Sequence, residues 1–241
     1  MALIKTDSQN YTNIANAIRT LNGSTQQYKP DEMAEALSAL SPDCAVSFDT
    51  FDSDGNVLTA TTYGSVVRGL QYKTKLTSVN IDSAATTIGE RAFEQCGLTS
   101  FTVPENITHI EDYAFYFANL KNVIFHNNIT DIGIHAFCGC ALVSVEIPES
   151  VTEIKRWAFS YNEFTTLFIP SNIQVIGYRG FANCSYLANV TFEGTPTFID
   201  TDVFADCSKL TTINVPWAEG EISNAPWGAT NATINYNYIA G

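Results

Sequence analysis

Three residues able to bind a metal or pass electrons, His135, Cys138 and Cys140, fall within six positions in the stretch DIGIHAFCGC. Imidazole and thiolate are ligands of zinc, and an activated thiol can also do redox work. A structural zinc site needs four such ligands to converge on one point. Whether these do depends on the elements that carry them, and the rest of the chain fixes those elements.

Phenylalanines recur at Phe93, Phe115, Phe137, Phe159, Phe181 and Phe204, in steps of 22 or 23 residues. A second ladder runs Leu76, Leu98, Leu120, Leu142, Phe164, Leu187 and Leu210, and a third Ile88, Ile110, Ile132, Ile154, Ile176 and Ile199. Three ladders in phase define a repeat, and repeats of this length stack into a solenoid because one unit cannot cover its own apolar side. In the unit LVSVEIPESVTEIKRWAFSYNE, residues 142–163, LVSVEI alternates as a half-buried strand does. Pro148 ends it, having no N–H for a continuing ladder. VTEI supplies a second extended piece, and WAFSYN turns the chain back. Stacked about 4.8 Å apart, the coils predict a rod about 30 Å long with each ladder residue resting on its counterpart.

This frame assigns the opening residues. Cys140 stands 20 positions after Leu120, and the same offset yields Cys96, Cys184 and Cys207, with Ala118 and Asn162 in the other units. It is therefore a small buried thiol of a turn column. His135 shares its column with Arg91, Tyr113, Trp157, Arg179 and Asp202, a variable set expected to be exposed. Thiols in a line along a rod do not form a tetrahedron, so the expectation is no metal and no cofactor. Cys184 and Cys207 lie one coil apart, the one pair close enough to leave a disulfide open.

Composition narrows the partners. The 241 residues are 45 % apolar but only 15 % charged, with net charge −13. That balance argues against nucleic acid, whose phosphates require Lys and Arg, and against anionic membrane surfaces. No window is apolar for the ~18 residues that a membrane span needs, and no apolar run precedes a cleavage site near the start. The six cysteines are accordingly expected to be reduced.

Catalytic patterns are missing: there is no Gly-x-Ser-x-Gly, His-Glu-x-x-His or phosphate-binding glycine loop. His109, His126 and His135 occupy different columns, His126 standing where other units have Pro104, Pro148 and Pro170. The reading is no enzyme. Departures from the repeat carry more information. Tyr113, Trp157 and Tyr178 fall in the turn, Tyr116, Phe117 and Tyr161 just after the core phenylalanine, and Phe168 and Ile124 at an outward strand position. Two readings stand for Tyr113, Tyr116, Phe117, Trp157, Tyr161, Phe168 and Tyr178: filling of local gaps, or a recognition face for a ligand or partner. Aromatics suit the second because they offer rigid area at low entropic cost and can stack on sugar rings.

The segments VPENITHIEDYAF, IPESVTEIKRWAF and IPSNIQVIGYRGF resemble the treponemal-type leucine-rich repeats of the BspA-like family over residues 76–216. The resemblance implies a leucine-rich-repeat solenoid, and binding rather than catalysis, since that family includes surface adhesins and interaction proteins.

The flanks differ in texture. Residues 1–42 predict a helical hairpin: Asp7 or Ser8 caps a helix with Ile14, Ile18 and Leu21 on its apolar face, and Pro30 opens a second with Met33 and Leu37. These five residues are candidates for attachment or oligomerisation. Within 43–75, Asp54-Gly55 between alternating runs predicts a β-hairpin cap. The competing calcium loop lacks acidic ligands at Thr50 and Thr61. Residues 217–241, with Trp217 and Trp227, are expected to cap the other end. The segment NYTNIANAIRTLNGSTQQYKPDEMAEAL resembles the N-terminal segment of tail, baseplate and fibre proteins of phages of Gram-positive bacteria, and VPWAEGEISNAPWGATNATINYNY resembles the ends of repeat-bearing phage structural proteins. Those resemblances imply a virion protein, assembled in the host cytoplasm through its N-terminal helices and displaying the solenoid to a host-surface glycan or protein. The alternative is a bacterial cell-surface adhesin or interaction module.

Overall fold

The computed structural model describes residues 46–51, 57–63 and 65–239. The expected helical hairpin with Ile14, Ile18, Leu21, Met33 and Leu37, and the Asp54-Gly55 turn, lie outside the described residues. No helix occurs among the described residues. The fold is a mainly β, parallel-strand solenoid.

Each coil has three sides. The first side carries β2 (Val57–Tyr63), β4 (Ser78–Ile81), β6 (Ser100–Thr102), β8 (Asn122–Ile124), β11 (Thr166–Ile169), β13 (Asn189–Phe192), β15 (Thr212–Asn214) and β16 (Thr233–Asn235). The second carries two-residue strands: β3 (Val66–Val67), β5 (Thr87–Ile88), β7 (His109–Ile110), β9 (Asp131–Ile132), β10 (Glu153–Ile154), β12 (Val175–Ile176) and β14 (Phe198–Ile199). At the start, β1 (Val46–Phe51) pairs antiparallel with β2, which pairs parallel with β4. From β11 a parallel ladder runs through β13 and β15 to β16, so the coils run on past residue 216.

Register follows the repeat. Leu167 lies beside Val190, Val190 beside Ile213 and Ile213 beside Ile234. On the second side Ile88 pairs with Ile110, and Ile176 with Ile199. The phenylalanines form one stack of near-parallel rings. Successive centroids from Phe93 to Phe204 are 4.8, 4.9, 5.5, 5.7 and 6.0 Å apart. All six are fully buried. Each such ring contributes about 2–3 kcal/mol by leaving water.

The third side is a turn, and its backbone explains its sequence. Residues two before the core phenylalanines from Phe93 to Phe181, and two after those from Phe93 to Phe204, adopt left-handed backbone: Arg91, Tyr113, His135, Trp157 and Arg179 on one flank, and Gln95, Phe117, Gly139, Tyr161, Asn183 and Asp206 on the other. Except at Arg179 and Asp206, their N–H groups, with those of the phenylalanines, donate to carbonyls of the next coil. Gln95 donates to Tyr116, Phe115 to Ala136, and His135 to Arg156, at 2.9, 2.8 and 3.1 Å. Leu70 and Tyr72 begin the same pattern, bonding Ala92 and Glu94.

One sequence expectation fails. LVSVEI, residues 142–147, is not a strand. Ala141 enters it with φ 62, left-handed, whereas its counterparts Gly97, Asn119 and Glu163 are not. Leu142 then donates its N–H to the Asn162 side chain. The first-side ladder, already interrupted between β4 and β6, stops again at β8 and resumes at β11, and the second-side ladder stops at β9 and resumes at β10. Between these coils the turn-side bonds persist, from Phe137 to Ala158 and from Gly139 to Ser160. The Lys155–Asp131 ion pair at 2.5 Å and a Ser150 hydroxyl bond to the Ile129 carbonyl also span the gap.

Candidate functional site

The cysteine column proves to be a row of donors. Cys140 Sγ donates to the Phe115 carbonyl at 2.9 Å, Cys184 to Phe159 at 3.5 Å and Cys207 to Phe181 at 3.2 Å. Asn162 does the same to Phe137 at 2.8 Å, which explains why an amide can replace a thiol there. The sequence reading as merely small and apolar missed this function. The five described cysteines are free and buried. Burial pushes Cys96 up to about 11 and Cys138 to about 12, so neither is an activated thiolate. Among the described residues, no group of three or more His, Cys, Asp or Glu side chains could hold a metal.

His126 takes the place of the turn prolines. Its carbonyl accepts from Ile129 N–H as that of Pro104 does from Ile107. Its Nε2 lies 2.7 Å from the Pro104 carbonyl, while Nδ1 accepts from Asn128 N–H.

His135 departs from expectation. It is half-buried, not exposed. Its ring is sandwiched between Tyr113 (4.9 Å, 13°) and Trp157 (5.6 Å, 11°). The physical reason is the solenoid itself: a column that is variable in sequence is still stacked in space, so large planar groups at the same turn position meet face to face. The stack ends in cations. The Arg91 guanidinium lies 4.4 Å above Tyr113 and that of Arg179 5.0 Å from Trp157. Each contact is worth about 0.5–1 kcal/mol at such a site. Arg91 is held by Glu94 at 3.0 Å, and Arg179 faces Asp202 at 3.8 Å. Burial, then the positive charge of Arg156, push the His135 pKa below its usual range, with Asp112 opposing.

Around this stack the remaining aromatics gather. Tyr116 meets Tyr113 edge-on at 5.4 Å and Phe117 at 4.6 Å. Trp157 contacts Tyr161 at 6.3 Å and Tyr178 at 6.1 Å. Six of the seven aromatics singled out in the sequence, Tyr113, Tyr116, Phe117, Trp157, Tyr161 and Tyr178, thus form one turn-side surface, joined through His135. Phe168 does not belong to it. It stands 60 % exposed on β11, beside Thr191, on the first side of the coil. Ile124 is likewise exposed on that side, as its outward strand position required. A recess of about 660 Å³ adjoins the aromatic surface, lined by Thr74, Gln95, Gly97, Tyr116, Phe117 and Asn119.

A stack of short parallel coils with a phenylalanine spine and a variable turn face defines a leucine-rich-repeat solenoid, an architecture typically used as a non-enzymatic interaction scaffold. The family model for the BspA type leucine rich repeat region matches residues 68–140 and 108–228, and the chain belongs to that family. A leucine-rich repeat protein from Bacteroides ovatus is similar, with 25 % identity and a TM-score of 0.55 over 71 % of this chain. The chain spans 47 % of that protein's length. A Treponema pallidum leucine rich repeat protein is also similar (18 % identity, TM-score 0.46, 70 % of this chain and 81 % of that one). So is a leucine rich cell surface protein from Faecalibacterium prausnitzii (19 %, 0.42, 73 % and 72 %). No curated protein matches.

Proposed function

We propose that this protein is a bacterial cell-surface adhesion or interaction module that binds its partner, a host-surface glycan or protein, through the turn-side aromatic surface, without catalysis. The observation that carries the reading is the continuous stack Arg91–Tyr113–His135–Trp157–Arg179 with Tyr116, Phe117, Tyr161 and Tyr178 around it. Such rigid aromatics and arginines are the side chains most often dominant in binding interfaces. The family match supports a surface interaction protein over a virion component. The resemblance to phage tail proteins rests mainly on residues 10–37, outside the described residues. Attachment through Ile14, Ile18, Leu21, Met33 and Leu37 belongs to the same proposal.

The test is adherence of beads coated with the full chain to candidate host cells. Trp157→Ala and Tyr161→Ala should reduce adherence several-fold with an unchanged circular-dichroism spectrum, whereas Phe168→Ser, on the other side, should not. Equal loss from Phe168→Ser, or no adherence at all, overturns the assignment of the face.

A further inference from the structure

The second position after the core phenylalanine holds, coil by coil, Tyr72, Gln95, Phe117, Gly139, Tyr161 and Asn183. Aromatic side chains fall on alternate coils, and an amide or no side chain falls between. The three aromatics are 58, 48 and 47 % exposed. All six residues have left-handed backbone, with φ between 51 and 72. Glycine or asparagine adopts this conformation at least cost, and a bulky residue pays about 1–2 kcal/mol. Exposed aromatics at strained positions, where Gly139 and Asn183 show the relaxed solution, point to use of those rings.

We propose that this column is a binding track for an extended, neutral β-(1→4)-linked polysaccharide. In such a polymer each sugar is turned over relative to the last, so the same apolar face recurs at every second sugar. Two coils advance about 10 Å, close to that repeat, so Tyr72, Phe117 and Tyr161 stack on alternate sugars. The Phe117 ring packs against Gly139: a Cβ there would come within 2.8 Å of the ring. The recess between the coils of Tyr72 and Phe117 supplies the Thr74 and Tyr116 hydroxyls and the Gln95 and Asn119 amides, suited to sugar hydroxyls beside an aromatic wall. The net charge of −13 disfavours polyanionic glycans.

This rests on the turn side being the binding face, and the experiment separates the two. Calorimetry with the full chain uses cellohexaose and chitohexaose, with polygalacturonate as the anionic comparison. Neutral hexasaccharides should bind, disaccharides much more weakly. Phe117→Ala and Tyr161→Ala should each weaken binding about five- to tenfold, the scale of one stacked ring, while Tyr161→Phe stays within about twofold. Neutral hexasaccharides that fail to bind, bind equally to both alanine variants, or bind less well than polygalacturonate overturn the track. Cell adherence that is lost in Tyr161→Ala, resists glycan competition and disappears on protease treatment of the cells also overturns it, replacing the glycan with a protein partner and leaving the adhesion reading intact.

Discussion

Phe137 and Phe159, 22 residues apart in the chain, lie face to face with centroids 5.5 Å apart and planes within 5°. Phe137 meets Phe115 on its other face at 4.9 Å. The ring is thus enclosed by its own repeats, and no neighbour can collapse into the space it leaves without breaking the stack. Phe137→Ala should destabilise the protein by about 3–5 kcal/mol, measured by urea denaturation. A loss below about 1 kcal/mol would show that the stack does not bear on stability.

Asn162 serves four backbone groups at once. Its amide donates to the carbonyls of Phe137, Phe159 and Ser160, and its oxygen accepts from Leu142. Asn162→Ala should cost about 2–3 kcal/mol through buried groups left unpaired. Asn162→Cys, the residue other coils use, should cost less because it keeps the donor to Phe137. Equal effects in the same denaturation experiment would refute the donor role.

The pKa of His135 is held below its ordinary value of 6.5, so as pH falls the unfolded chain takes up the proton first. Its contribution is complete above about pH 6.5 and is lost as pH drops through the folded value. Melting temperature should therefore decline on acidification in the wild type, and His135→Phe, which keeps the sandwich, should flatten part of that decline. Identical pH profiles would rule this out.

The coil holding residues 142–155 lacks both strand ladders on its N-terminal side. Amides of Ser144, Val145, Glu146, Ile147 and Glu149 should exchange with deuterium faster than those of Asn122 to Ile124 and Thr166 to Ile169, since they lack ladder bonds. Uniform protection across the three segments, read by mass spectrometry, would contradict the gap.

The phenylalanine, leucine and isoleucine columns were legible because burial imposes a fixed residue type at a fixed interval. Two things were not. The missing strand at 142–147 coincides with a left-handed backbone at Ala141, in a segment whose alternation is as good as that of any other unit. The meaning of His135 was hidden for the opposite reason: its column varies in residue type, and variability reads as freedom. Yet Arg, Tyr, His and Trp are all flat or planar-tipped groups, and that shared shape was the available signal. The separation of Phe168 from the other aromatics, by contrast, follows from its place in the strand instead of the turn.

The left-handed column from Tyr72 to Asp206 accepts tyrosine, glutamine, phenylalanine, glycine, asparagine and aspartate on one backbone shape. What is displayed there is decoupled from what holds it up. Selection can respell that line one character at a time without disturbing the spine beneath, so kindred rods can wear the same body under different labels.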